Sequence, residues 1–324
     1  MNSQQRKERI ALLSVISNSV LVIIKLIIGL IIGSVSILSE AIHSVVDLVA
    51  ASIALFSVKT SSTPADRQHP YGHGKIENIS GTIEALLIFI AAGWIIYEAV
   101  KKIIHPEPLA GLGWGLGVML ISTIVNILVS GMLFKIDRET DSIALRADAW
   151  HHRTDVYTSA GVMGSLAVMW IAHNMYSPLN LNWLDPAAAI GVAILIIRAA
   201  YDLTRQSAKD LLDETLPVEE EEWIRQQILQ HVPKVHGFHH LKTRKSGHFR
   251  FVEFHLKVNP MMTVWDSHRI TEELSEIIKS QYPDASVTIH VEPCDGNCMG
   301  NCLKGCLLPE KERLNIKKKV LRPL

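Results

Sequence analysis

Cysteine is almost missing from this chain of 324 residues: there are four, and all lie beyond position 293. A disulfide-stapled fold is therefore excluded for everything before them. Net charge is missing too. Lys and Arg together number 32, as do Asp and Glu, so nothing points to a nucleic-acid partner. No small-residue cleavage site closes the opening stretch MNSQQRKERIALLSVISNSVLVIIKLIIGLIIG, and its apolar run is too long for a signal peptide. It reads as an uncleaved first span. Repeats and low-complexity linkers are absent. So is the H-E-x-x-H pattern that a membrane metallohydrolase would need.

Apolar residues, in contrast, make up 48% of the chain and crowd into its first two thirds. Runs long enough to cross a bilayer, about 20 residues each, recur there. Hydropathy and length place six of them, at roughly 10–32, 36–58, 78–101, 112–135, 145–173 and 186–206. The fifth is the weakest, because its first half, ALRADAWHHRTDVYTS, is polar on most faces. A polar half-helix suits a wet or metal-lined cavity. Arg6, Lys7, Arg9, Lys59, Arg67, Lys75, Lys135, Arg138 and Arg146 fall on one side of the bundle, and only Lys101 and Lys102 on the other. The positive-inside rule then puts both termini in the cytoplasm. Lys25, half-way along the first span, is expected to face protein.

Two His-x-x-x-Asp pairs lie inside these apolar runs, His43 with Asp47 and His151 with Asp155. A spacing of four puts both side chains of a pair on one helix face. Ionisable groups at membrane depth are costly, so they face a bundle interior and serve a pathway. Two imidazoles and two carboxylates make a closed four-ligand set. It suits tetrahedral Zn²⁺ better than the oxygen-hungry Ca²⁺ or Mg²⁺.

The last third is polar. A helix is expected from Thr215 or Pro217, with Glu219 to Glu222 at the positive end of its dipole. FHHLKTRKS and HFRFVEFHLKV alternate around Gly247 and predict a hairpin. Val264–Tyr282 has helical spacing, and residues 285–291 give a short strand. The order α-β-β-α-β predicts a small α+β sandwich.

Together these residues resemble the cation diffusion facilitator family of divalent-metal/proton antiporters, over about residues 8–293. The likeness implies a six-helix transmembrane bundle (residues 1–209) and a cytosolic, ferredoxin-like, metallochaperone-like domain (residues 210–293). Residues 294–324 form a Cys-containing basic tail outside it. It implies a homodimer in a prokaryotic plasma membrane. It also makes His43, Asp47, His151 and Asp155 the transport site, with His43 tilting the set toward zinc.

The loop Asp66-Arg-Gln-His69-Pro-Tyr-Gly-His73-Gly-Lys75 offers one carboxylate and two imidazoles to one metal. The alternative is an ordinary turn built on Pro70, Gly72 and Gly74. In the family this loop resembles a peripheral metal site. Positions similar to the family's cytosolic binuclear site are His239, His255, His268, His290 and Glu292. Glu292 replaces the Asp of close bacterial relatives. His240 neighbours His239 on a strand and is expected to face away. Lys75 and Asp213 match a basic–acidic pair at the domain hinge. Cys294, Cys298, Cys302 and Cys306 recur every four residues in the tail. They read either as soft-metal ligands or as thiols on a disordered tail, with a basic end suited to anionic lipid.

The expected activity is export of Zn²⁺ from the cytosol in exchange for protons. Cytosolic metal sites would regulate it. Within the same class, Fe²⁺, Mn²⁺, Co²⁺ or Cd²⁺ is the alternative cargo. A membrane metal sensor without transport is the rival from another class.

Overall fold

The computed structural model describes residues 3–32, 35–104, 112–175, 183–231, 233–296 and 300–320. The chain forms two compact units, Met1–Lys209 and Asp210–Leu324.

The first unit is a bundle of long helices: α1 (Ser3–Ile32), α2 (Val35–Ser61), α3 (Lys75–Ile104), α4 (Leu112–Thr140), α5 (Ile143–Met175) and α6 (Leu184–Leu211). Each α-helix runs a turn or so beyond the apolar stretch that announces it, because the polar flanks continue the same hydrogen-bond ladder. Among the described residues, five of the six carry a stretch long and apolar enough to cross a membrane. Small residues let these helices approach closely. Ala50, Ala51 and Ala54 on α2, Ala85 and Ala92 on α3, and Ala144, Ala147 and Ala149 on α5 are all buried. Large aliphatics such as Ile27, Leu30, Leu86 and Leu195 face outward, as a lipid-facing surface requires.

A buried polar clasp ties four helices together. Glu77 on α3 is fully buried; it accepts hydrogen bonds from Ser61 Oγ on α2 (2.9 Å) and Ser142 Oγ at the head of α5 (2.7 Å). Lys7 on α1, equally buried, places its ammonium 3.5 Å from the same carboxylate. A buried charge is tolerable only when so paired.

The second unit begins with α7 (Val218–Leu229) and continues with β1 (Val235–Ser246), β2 (Phe249–Val258), α8 (Val264–Gln281) and β3 (Ala285–Pro293). Thr263 caps α8 by accepting the Asp266 N–H at 3.1 Å. The sheet order is β1-β2-β3, with β1 and β2 an antiparallel hairpin and β3 parallel to β2. Gly247 takes positive φ in the hairpin turn, as only glycine does freely. Val252, Phe254 and Leu256 of β2 face Ile224 and Ile228 of α7 and Ile270, Leu274 and Ile278 of α8. Each such side chain contributes about 1.5–3 kcal/mol on burial. The alternate residues of β2, among them His255, fall on the face without helices.

The tail is folded. Two short helices, α9 (Asn301–Lys304) and α10 (Glu310–Val320), follow β3. Cys306 bridges antiparallel to Gly237, Phe238 N–H donates to Gly305, and Leu307 N–H donates to His236. A Cβ on Gly305 would stand 1.7 Å from the Phe238 carbonyl oxygen, so this close approach requires glycine. Gly296 and Gly300 have positive φ, which breaks any single helix that would align the sulfurs. Cys298 lies outside the described residues.

Candidate functional site

The two His-x-x-x-Asp pairs converge. Ligand atoms of His43, Asp47 and Asp155 lie within 4.8 Å of one another. His43 Nε2 is 3.9 Å from Asp47 Oδ1, and His151 Nε2 is 3.0 Å from the same oxygen. Asp47 and His151 are buried, while His43 is the exposed member. The geometry follows from local spacing: α2 presents His43 and Asp47 one turn apart, and α5 presents His151 and Asp155 likewise. Packing of α2 on α5 joins the pairs.

Around this quartet lies a shell that the sequence did not announce. Asn126 on α4 donates to Asp155 Oδ2 at 3.3 Å, and its Oδ1 is 3.0 Å from His152 Nδ1. His152, fully buried beside His151, also meets Ser14 Oγ of α1 at 2.9 Å. Asn18 Nδ2 reaches the Asp47 carbonyl at 3.5 Å. Lys25 faces protein, as expected of a cation at that depth. It is buried and donates to Ser44 Oγ at 2.8 Å, within electrostatic range of Asp47 and Asp155. His152 stood next to a predicted ligand. The signal for it was only that a second buried histidine on the same helix needs a partner.

The loop between α2 and α3 gathers Asp66, His69 and His73. Asp66 Oδ1 is 3.3 Å from His69 Nδ1, and Oδ2 is 3.5 Å from His73 Nε2. His73 Nδ1 lies 3.3 Å from the Thr63 carbonyl, which leaves Nε2 to face the carboxylate. The Asp66 carboxyl sits below its ordinary pKa, chiefly because the His69 backbone N–H donates to it. The pattern serves both readings of this segment: Asp66 closes a turn through its 2.6 Å and 2.8 Å bonds to the amides of His69 and Gln68, and it keeps two imidazoles at hand.

On the open face of the sheet in the second unit, His239, His255 and His290 occupy one register row across β1, β2 and β3. Glu292, two residues further along β3, points to the same face. Its Oε2 is 3.1 Å from His239 Nε2 and its Oε1 is 2.8 Å from His255 Nδ1. The longer side chain thus spans two imidazoles at once. His290 Nε2 flanks it at 3.7 Å. Lys257 Nζ is 2.7 Å from Glu292 Oε2. That ammonium, aided by His255 and His239, holds the Glu292 carboxyl at about 2. An incoming metal must displace Lys257 from it. Among the described residues, the buried His239 Nδ1 meets no hydrogen-bond partner. The donor set, one carboxylate among imidazoles, fits a divalent zinc-like ion.

One expectation is corrected here. His240 does not turn away. The register shifts between His239 and Lys242, and His240 takes φ 54°, so its ring packs 4.7 Å from His239 and 5.2 Å from His255. A β-bulge cancels the alternation on which the expectation rested. His268 is not gathered with the others. It lies exposed on α8, 3.3 Å from Glu272. Lys75 opens α3 in the first unit; Asp213, in the second, lies 3.3 Å from Arg244. Of the tail thiols, Cys294 is buried and Cys302 and Cys306 are half-buried, and burial raises the Cys294 thiol above its ordinary pKa.

Comparison with known proteins matches residues 11–212 to a cation efflux transmembrane domain and residues 216–294 to a cation efflux protein cytoplasmic domain. An uncharacterized transporter of Synechocystis sp. is 34% identical over 263 residues, covering 81% of this chain and 83% of its own. A cation-efflux pump FieF of Yersinia pestis is 33% identical over 279 residues, covering 85% and 89%. Among solved structures, the metal-bound C-terminal domain of the CzcD transporter from Thermotoga maritima is 30% identical. It covers 24% of this chain and 94% of that one, with a TM-score of 0.22. The Zn form of CzrB is 40% identical, covering 25% and 92%, with a TM-score of 0.22.

Proposed function

Because the chain belongs to the cation efflux, or cation diffusion facilitator, family of membrane transporters, we propose that it exports Zn²⁺ from the cytosol in exchange for protons. The observation that carries this reading is the convergence of His43, Asp47 and Asp155 within 4.8 Å, with His151 on Asp47. Two nitrogens and two oxygens suit tetrahedral zinc. The arrangement also explains coupling. Metal needs neutral imidazole and ionised carboxylate, and protonation releases it. An imidazole nitrogen takes up either a proton or a metal ion, not both, so His43 and His151 are suited to exchange one for the other. The His151–Asp47 hydrogen bond is the contact a metal would replace.

In this reading the protein is a homodimer in a prokaryotic plasma membrane, with both termini cytoplasmic. His239, His255, His290 and Glu292 bind Zn²⁺ when it is plentiful and bias the transporter toward activity. That bias requires tighter binding to the active state. Asp66, His69 and His73 offer a peripheral site.

The deciding experiment is Zn²⁺ uptake into proteoliposomes under an imposed proton gradient, with Mn²⁺, Fe²⁺, Co²⁺ and Cd²⁺ as competitors. Uptake that ignores the gradient would refute exchange. A stronger response to Fe²⁺ or Mn²⁺ would replace zinc by a harder cargo, which the two carboxylates also accommodate. Zinc binding without uptake would favour the sensor.

A further inference from the structure

The bulge in β1 does more than cancel an alternation. His239 pairs with His255 and Lys242 with Glu253, so the chain of β1 spends one residue more than β2 between the two pairs. The extra residue brings His240 onto the open face at φ 54°. Left-handed backbone is costly for a residue with a Cβ, and histidine is one of the few types enriched there. Bulges recur beside functional sites, where they re-aim a side chain.

The result is a triangle of rings. Centroids of His239 and His240 lie 4.7 Å apart, those of His239 and His255 5.1 Å, and those of His240 and His255 5.2 Å. A tetrahedral ion with Zn–N bonds of about 2.0–2.1 Å holds two imidazole centroids roughly 5 Å apart. Each edge of the triangle has that length. Ligand atoms of His239, His255 and Glu292 already lie within 4.8 Å of one another. His240 is exposed, so its ring is free to change rotamer and turn a nitrogen toward them. One atom points to a ligand independently of the triangle. His239 Nδ1 is buried, and among the described residues it meets no hydrogen-bond partner, although buried polar atoms are normally paired.

We propose that His240 is a metal ligand, and that His239, His240, His255 and Glu292 hold one zinc-like ion within a single chain. Three imidazoles and one carboxylate complete a tetrahedral shell. The inference rests on the reading that this row binds Zn²⁺, and it deepens that reading in two ways. The first ion needs no ligand from His268, which stays exposed on α8 beside Glu272. The third imidazole also makes the site selective. Its single carboxylate is held by the Lys257 ammonium at 2.7 Å. Mg²⁺ and Ca²⁺ favour oxygen and gain little from imidazole, so an ion that takes nitrogen is the one that offsets the loss of that pair.

The left-handed backbone supplies the controls. Asn and Asp both tolerate positive φ, so His240→Asn and His240→Asp keep the bulge, and only the second offers an anionic ligand. Zinc binding is measured by equilibrium dialysis on the full-length chain carrying Asp47→Ala and Asp66→Ala, which disable the quartet and the loop. In that background His240→Asn weakens zinc binding at least about tenfold, the lower end of what loss of an outer partner alone costs. His240→Asp recovers most of the affinity, and His268→Ala leaves the first ion's affinity unchanged. Unaltered affinity in His240→Asn overturns the proposal, because the ring then only packs. Equal losses in the Asn and Asp variants overturn it too, because the histidine then serves the bulge and not the metal. Weakening of the first ion by His268→Ala overturns the single-chain site. If the background chain with His240 intact takes up no zinc, the regulatory reading itself fails, and that control tells the two failures apart.

Discussion

His152 Nδ1 lies 3.0 Å from Asn126 Oδ1, and the amide nitrogen of the same Asn126 donates to Asp155. The asparagine oxygen must accept from the ring, so His152 carries its proton on Nδ1. Nε2 is then left to accept from Ser14. His152 is therefore a positioning residue whose work is to fix Asn126 and, through it, one carboxylate of the quartet. Outer partners of this kind are worth about 10–100-fold in metal affinity. Asn126→Ala should weaken zinc binding at the quartet by about that factor without removing a ligand, read as a rise in half-saturating zinc in uptake assays. Unchanged half-saturation would leave Asn126 as packing only.

Asp47→Ala is expected to abolish zinc transport and leave a folded protein. It removes an anionic ligand and the acceptor of His151 Nε2 at once. Asp155→Ala should do the same. Residual uptake near the wild-type rate in either variant would remove the quartet as the transport site.

His43→Asp should broaden cargo choice toward Mn²⁺ or Fe²⁺, because a harder oxygen replaces nitrogen. The test is competition against zinc uptake. His43 is the exposed member of the set, so the change should cost little stability. A competition profile identical to that of the wild type would argue against direct ligation by His43.

In the cytosolic unit, zinc should raise the melting temperature, since an ion bound only to the folded state stabilises it by RT ln(1 + [L]/Kd). His255→Ala should give a smaller rise and a lower zinc stoichiometry, while basal transport by the full chain is spared. A unit indifferent to zinc would refute regulation and leave transport untouched.

Glu292 makes a pH prediction for the metal-free unit. Its carboxyl sits at about 2 when folded, against 4.5 in its ordinary state. A depressed acid contributes stability that is fully present above the unfolded value and lost as pH falls through the folded one. The stability difference between wild type and Glu292→Gln, followed by urea unfolding with chelator, should be constant from neutrality down to about pH 4.5 and shrink toward pH 2. A difference that persists unchanged at the acid end would show that Lys257 and the histidines do not hold the charge.

Much of this arrangement was legible in the sequence because its causes are local. Hydropathy marks helices that face lipid, and a four-residue spacing fixes His43 beside Asp47 whatever else happens. The α-β-β-α-β order follows from turn residues and period. What escaped is tertiary or irregular. Asn126 meets Asp155 only because α4 packs on α5. His240 escaped because a bulge breaks the strand period, and the docked tail because nothing in its Gly-rich spacing reveals the strand it lies against.

That docking has a consequence for how the domain is handled. Backbone from Gly305 to Leu307 occupies the outer side of β1, satisfying the Phe238 N–H and the His236 carbonyl. A fragment cut near residue 294, where the family match ends, strips this cover and leaves a bare sheet edge beside the His239 row. Bare edges recruit strands from neighbouring molecules. Self-association of a shortened fragment would then report the missing cover, and a fragment reaching Val320 is the one whose solution behaviour reflects the intact protein.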